Sequence, residues 1–174
     1  GLELSFNPIV ASGSNGSMPH HEPKNERIKK GLCVIDFGVK YEGYCSDITR
    51  TIYVGKQKRE EIDMYNLLLK IQNDTINQIK ENKKCFELYD FVNEKLGKYR
   101  QYFTHGLGHG VGVEIHEMPN LTLNSKDRIQ DNMVFTIEPG LYFPGKFGIR
   151  IEDTIFFKNK PIALTKTSKD LLII

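Results

Sequence analysis

The sequence predicts an α+β domain in which a mostly antiparallel sheet is covered by helices. Three features carry this: two runs of β-branched and aromatic residues that each fold back about a short turn, and an amphipathic stretch between them. At 174 residues the chain fits one domain, 1–174, with interior enough for a real core and no linker-like tract inside it.

Taken in order, Ile9-Val10-Ala11 reads as a short strand that dissolves into a loop over Ser12 to Ser17, where Gly, Asn and Ser favour turns. Leu32 to Val39 and Gly43 to Val54 read as a β-hairpin around a turn at Lys40 to Gly43. From Gln57 to Asn82 the residues Ile62, Tyr65, Leu68, Leu69, Ile76 and Ile79 recur at helical steps among charges and amides, which predicts a helix with one buried face. A shorter helix covers Phe86 to Leu96. The chain is glycine-rich from Gly106 to Gly112. Two further strand-like runs, Met133 to Ile137 and Gly148 to Phe157, then flank the turn Pro144-Gly145-Lys146.

Composition removes several function classes. Lys plus Arg is 24 against 22 for Asp plus Glu, so the net charge of +2 supplies no field for nucleic acid or an anionic membrane surface. No run approaches a membrane span, and the mean hydropathy is -0.41. Three cysteines, Cys33, Cys45 and Cys85, with no Cys-x-x-Cys pair, suit neither a disulfide framework nor a zinc ribbon, and a reducing cytoplasm is the expected setting.

The chemistry concentrates elsewhere. All five histidines fall in two windows, His20 and His21 in one, His105, His109 and His116 in the other. Any one of them could be an exposed loop residue; their clustering suggests a site. Asp36 and Asp47 are equidistant from the midpoint between Tyr41 and Glu42, so an even-length loop centred there makes them cross-strand partners, Cβ atoms ~4.5 to 5.5 Å apart. Two facing carboxylates destabilise a sheet unless a proton or cation lies between them; the alternative is that one Asp points to water at a ragged hairpin end. Glu138 and Glu152 stand in the same relation about Gly145, a residue suited to positive φ. Alternation puts Arg150 on the face of Glu152, which it could simply neutralise, while Ile149 and Ile151 face a core. Four carboxylates and an imidazole form a hard, oxygen-rich donor set, enough for two divalent ions of Mn, Co, Fe or Zn, and such a pair with open positions points to hydrolysis. His116-Glu117-Met118-Pro119-Asn120 is not a His-Glu-x-x-His zinc motif, the glycine string lacks a Walker-A lysine, and no Gly-x-Ser-x-Gly elbow is present.

These residues resemble the pita-bread metallopeptidases, in particular the Xaa-Pro branch with aminopeptidase P and prolidase. The matching segments are Ile9-Val10-Ala11-Ser12-Gly13 with Pro19-His20, Val34-Ile35-Asp36-Phe37-Gly38, Ser46-Asp47-Ile48-Thr49-Arg50-Thr51, His105 to Gly112, His116-Glu117, Thr136-Ile137-Glu138-Pro139-Gly140 and Arg150-Ile151-Glu152-Asp153. They span nearly the whole chain in the family's order. The resemblance implies a pita-bread fold and two metal ions, Mn or Co first and Zn or Fe second, held by Asp36, Asp47, His109, Glu138 and Glu152, with Asp47 and Glu152 bridging. It implies that His20 and His116 line the substrate pocket and steady the scissile carbonyl, and that His105 and Arg150 are further members of the site. Attack would come from a metal-bridging hydroxide, with Glu138 also the proton acceptor, on the bond between an N-terminal residue and proline of a short peptide. A homodimer is implied for the full-length protein.

Two departures stand out. The chain opens at Gly1 almost directly on the Ile9 strand, where the family's catalytic half begins with helices after a separate N-terminal domain, so a fragment is expected. Some prolidases place an Arg after a His-Glu-x-Pro segment, and Asn120 occupies that position here. Two other readings share the residues: a methionine aminopeptidase-like enzyme and a non-catalytic peptide-binding module. The retention of all five ligand types disfavours the module. The 14-residue step from Glu138 to Glu152 favours the Xaa-Pro branch over the methionine enzyme.

Overall fold

The computed structural model describes residues 2–174. Strands β1 (Glu3–Leu4) and β2 (Ile9–Ser12) are followed by a 3-10 turn (Gly13–Ser17), where the sequence predicts an irregular loop. Then come β3 (Gly31–Phe37), β4 (Val39–Tyr41), β5 (Tyr44–Cys45) and β6 (Ile48–Val54). Helices α1 (Arg59–Asn77) and α2 (Cys85–Leu96) lead through a second 3-10 turn (Gly97–Tyr102) to β7 (Gly108–Gly110) and β8 (Glu117–Leu121). Strands β9 (Val134–Ile137), β10 (Gly140–Phe143), β11 (Phe147–Arg150), β12 (Asp153–Lys158) and β13 (Lys160–Ala163) complete the order. The strands fall into four ladders, β2-β3-β6, β1-β4-β5, β10-β11 and β13-β12-β9-β7-β8, each antiparallel throughout. Among the described residues no helix is long and apolar enough to cross a membrane.

The predicted hairpin forms, with a difference in register that matters for the site. Its turn is centred one residue later than expected, on Glu42 and Gly43, both at positive φ (50° and 85°), the pairing that a two-residue turn between twisted strands demands. Asp36 therefore faces Thr49, not Asp47. Asp47 lies one diagonal step away on the same face, just before β6, so the expected direct pair is corrected to a diagonal one. The hairpin is also split: its outer half, β4 and β5, leaves the β3-β6 ladder to pair with β1.

The second register is as the sequence has it. Ile137 faces Asp153 in one ladder and Gly140 faces Arg150 in the next, so Glu138 and Glu152 occupy the interval between them at the same offset. Gly145 takes a φ of 70° at the turn.

Helix α1 begins with Glu60 and Glu61 at its positive end and carries the pairs Arg59–Asp63 and Lys70–Asp74 on its wet face. It stops at Asn77, before the predicted Asn82: the amides of Gln78 and Ile79 turn back to Thr75 and Ile76, and Asn82 has a φ of 61°. Its buried stripe, Tyr65, Leu68, Ile71, Gln72 and Thr75, includes two polar residues that an apolar periodicity cannot reveal. Helix α2 buries Cys85, Leu88, Val92 and Leu96. Both helices close over a core that joins Leu32 and Tyr53 of the first ladder to Phe135, Ile149, Ile151 and Phe157 of the others. This core fixes the strand ends whose opposite faces carry the carboxylates.

Candidate metal centre

The strand ends converge on one cavity of about 510 Å³. Asp36 is next to last in β3, Asp47 precedes β6, His109 is central in β7, Glu138 follows β9, and Glu152 sits between β11 and β12; all five line the cavity, together with His20, His105, His116 and Arg150. No sequence-predicted site residue lies elsewhere. The glycine string has a structural purpose here, since a Cβ on Gly108 would lie 2.0 Å from the carbonyl oxygen of Thr136 and one on Gly110 would lie 2.2 Å from that of Met118. Only glycine lets β8 and β9 close on both sides of His109.

One oxygen or nitrogen atom from each of Asp47, His109 and Glu152 lies within 4.8 Å of the other two. The His109 Nδ1–H donates to the Gly110 carbonyl (3.0 Å), which leaves Nε2 as an acceptor facing Asp47 Oδ2 at 3.6 Å and Glu138 Oε1 at 3.4 Å. Burial, and less so His116, holds this imidazole neutral by moving its pKa down to about 4. An acceptor facing two carboxylates needs a cation or protons between them. Burial pushes Asp47 up to about 8, with Asp36 and Glu138 adding to it, and Glu138 up to about 7 against the pull of Arg150. Glu152 also rises, through burial and then Asp47. Asp36 Oδ1 is buried without a hydrogen-bond partner among the described residues. An orphaned acceptor and a set of mutually repelling oxygens fit divalent cations; the donor types suit Mn, Co, Fe or Zn.

Of the partners alternation leaves open for Arg150, Glu152 is not the one it pairs with. Its Nη2 pairs with Asp36 Oδ2 at 2.5 Å, and its Nε is 4.0 Å from Glu138 Oε2. Glu152 instead accepts from Thr49 Oγ1 at 2.7 Å. The reason is sheet stacking: Thr51 Oγ1 accepts from the Arg150 amide and donates to its carbonyl, which stitches β6 to β11 and points the guanidinium toward β3. Arg150 Nη1 also donates to the Pro19 carbonyl (3.2 Å), tying the His20 loop to the site.

Tyr142 was not among the sequence-predicted residues. It accepts from Arg150 Nη1 and donates to His105 Nε2, both at 2.8 Å, while the other His105 nitrogen donates to the Gly106 carbonyl. Burial first, then Arg150, keeps His105 neutral with a pKa near 4. The signal that could have found Tyr142 and Thr49 is alternation, since Thr49 lies two residues after Asp47 and Tyr142 four after Glu138. His116 is exposed at the cavity mouth, its ring 4.3 Å from that of His109, and Asn120 faces His109 across β7 and β8.

Fold and donor set together define the metallopeptidase class, as the sequence resemblance implies. The chain belongs to metallopeptidase family M24, whose model matches residues 1–159. It is 41% identical over 172 residues to the Xaa-Pro dipeptidase of Pyrococcus furiosus, covering 97% of this chain and 49% of that protein. Among solved structures, the prolidase of Pyrococcus horikoshii matches with a TM-score of 0.95 at 40% identity, covering 99% of this chain and 51% of that one. The X-Pro aminopeptidase of Thermotoga maritima matches with a TM-score of 0.95 at 34% identity, covering 100% and 51%. The chain thus spans about half the length of these relatives, and the pita-bread fold is shared over all of that half.

Proposed function

We propose that the cavity is the dinuclear metal centre of an exopeptidase that hydrolyses the bond between an N-terminal residue and proline in short peptides. The observation that carries this is the convergence of two same-face carboxylate pairs, Asp36 with Asp47 and Glu138 with Glu152, on the free Nε2 of His109. Relatives named Xaa-Pro dipeptidase and X-Pro aminopeptidase support the substrate class.

Asp36, Asp47, His109, Glu138 and Glu152 would hold the ions, Mn or Co in first place. When bound, such a pair supplies Lewis acidity for the scissile carbonyl and a water acidic enough to ionise at neutral pH. The protein's own groups do the rest. Glu138, lining the cavity 3.4 Å from His109 Nε2, is the carboxylate placed to accept a proton and return it to the leaving nitrogen. His116, exposed beside His109, donates to the carbonyl oxygen as charge develops there, and His20 flanks the peptide from its Arg150-anchored loop. Arg150 aims the Asp36 carboxylate, and Tyr142 holds His105 in one tautomer.

The test is an assay of Met-Pro, Leu-Pro and Ala-Pro peptides of two to five residues with Mn, Co and Zn. Cleavage N-terminal to proline that needs added metal supports the reading; metal-independent cleavage, or equal rates when alanine replaces proline, sinks it.

A further inference from the structure

Arg50 and Asp153 lie next to candidate ligands or their supports, line no part of the cavity, and have no place in the chemistry above. Arg50 uses its whole planar fork. Nη1 donates to the carbonyls of Thr49 (2.9 Å) and Glu152, Nη2 to Asp153 Oδ1 (2.8 Å) and the Thr167 carbonyl (2.8 Å), and Nε to the Ser168 carbonyl (3.2 Å). Asp153, 1% exposed, accepts on its other oxygen from Gln72 Nε2 (3.0 Å) and Lys169 Nζ (2.8 Å). Thr49 and Glu152 meet twice: the Glu152 amide donates to the Thr49 carbonyl (3.1 Å), and Thr49 Oγ1 donates to Glu152 Oε2 (2.7 Å). One guanidinium therefore holds the backbone on both sides of the contact that aims the Glu152 carboxylate. Its remaining donors hold residues 167 and 168 of the C-terminal segment.

That segment is seated along its length. The Leu164 amide donates to the Thr154 carbonyl (2.8 Å), the Lys169 carbonyl accepts from Tyr65 Oη (2.9 Å), and the Ile174 amide donates to the Tyr53 carbonyl (2.9 Å). We propose that Arg50 and Asp153 are positioning residues for Glu152, and that residues 164–174 form a strap whose seating on them sets the aim of that carboxylate. The inference rests on reading Glu152 as a metal ligand. A lysine could not substitute at position 50, because one ammonium cannot span five acceptors on three segments.

The test is calorimetric titration of Mn2+ into the intact, metal-stripped protein, with thermal melts and hydrogen exchange, for Arg50→Met, Lys169→Met and Glu152→Gln. Arg50→Met should weaken Mn2+ binding by ~10 to 100-fold, the range for loss of a partner that orients a ligand. Lys169→Met, which loosens the strap and leaves the Thr49–Glu152 contact in place, should give a smaller loss in the same direction, with the amides of Ile174 and Glu152 exchanging faster together. Lower melting temperatures with unchanged Mn2+ affinity in both variants would overturn the proposal, because a purely structural ion pair predicts that result. If Arg50→Met does not fold, Lys169→Met decides by the same criterion. Unchanged Mn2+ binding in Glu152→Gln would overturn the ligand reading itself; weakened binding there, beside unaltered Arg50 and Lys169 variants, would overturn only the strap.

Discussion

At the scale of single residues, the site separates groups that hold cations from groups that meet the peptide. Asp47 has its neighbours Asp36, Glu138 and His109 around it and, among the described residues, no lysine or arginine within ion-pair distance. Asp47→Asn should therefore lower metal stoichiometry and turnover together, read by elemental analysis and a Xaa-Pro assay. A variant with full metal content and low turnover would move Asp47 out of the cage. His116, exposed and beside His109, is expected to behave in the opposite way. His116→Ala should keep its metal and lose ~100 to 1000-fold in kcat, the cost of one oxyanion donor. Loss of metal in that variant would make His116 a ligand.

At the scale of elements, the glycines of β7 and the turn between β4 and β5 predict contrasting outcomes. Gly108→Ala inserts a methyl 2.0 Å from the Thr136 carbonyl oxygen, so β7 and β9 must part and carry His109 with them. A stability loss of ~1 to 3 kcal/mol by urea denaturation is expected, as for other overpacked sites, together with weaker metal binding. Gly43 has open space around it and a φ of 85°. Gly43→Ala should cost ~1 to 2 kcal/mol through backbone strain alone and leave metal affinity unchanged. If both variants affected metal equally, proximity of β7 to the site would not be the cause.

At the scale of the whole molecule, the clustered carboxylates make stability depend on pH and metal jointly. Asp47 and Glu138 rise to about 8 and about 7 in the folded state, against ~3.9 and ~4.3 in an unfolded chain. A carboxyl raised on folding retains its proton longer when folded, so its contribution is fully present below the unfolded value and is lost as pH climbs through the folded one. The metal-free protein should melt progressively lower from pH 5 to pH 8. Saturating Mn2+ replaces those protons and should raise the melting temperature most at pH 8. A flat profile in chelator would show that burial and mutual repulsion do not raise these carboxyls, and the cage reading would fail with it.

How much of this was legible depends on the range of the interactions involved. Local patterns placed α2, the β9 strand and the turn at Gly145, because periodicity and turn chemistry act over a few residues. The family resemblance named five candidate ligands, and all five line one cavity. The Glu138–Glu152 register was readable because one glycine at positive φ fixes it. The Asp36–Asp47 register was not, because the choice between adjacent turn centres depends on Glu42 accepting positive φ, which sequence alone does not favour. Only the tertiary structure decided that Arg150 answers Asp36, that Thr49 and Tyr142 complete the polar network, and that the C-terminal segment is tied to Glu152 through Arg50. Apart from Tyr142 and Arg150, eight positions apart on the β10-β11 hairpin, these contacts join residues about 100 positions apart in the chain, as Thr49 and Glu152 are, and no local propensity encodes them. They arise when separate ladders stack over a shared core and their unpaired donors and acceptors must find one another.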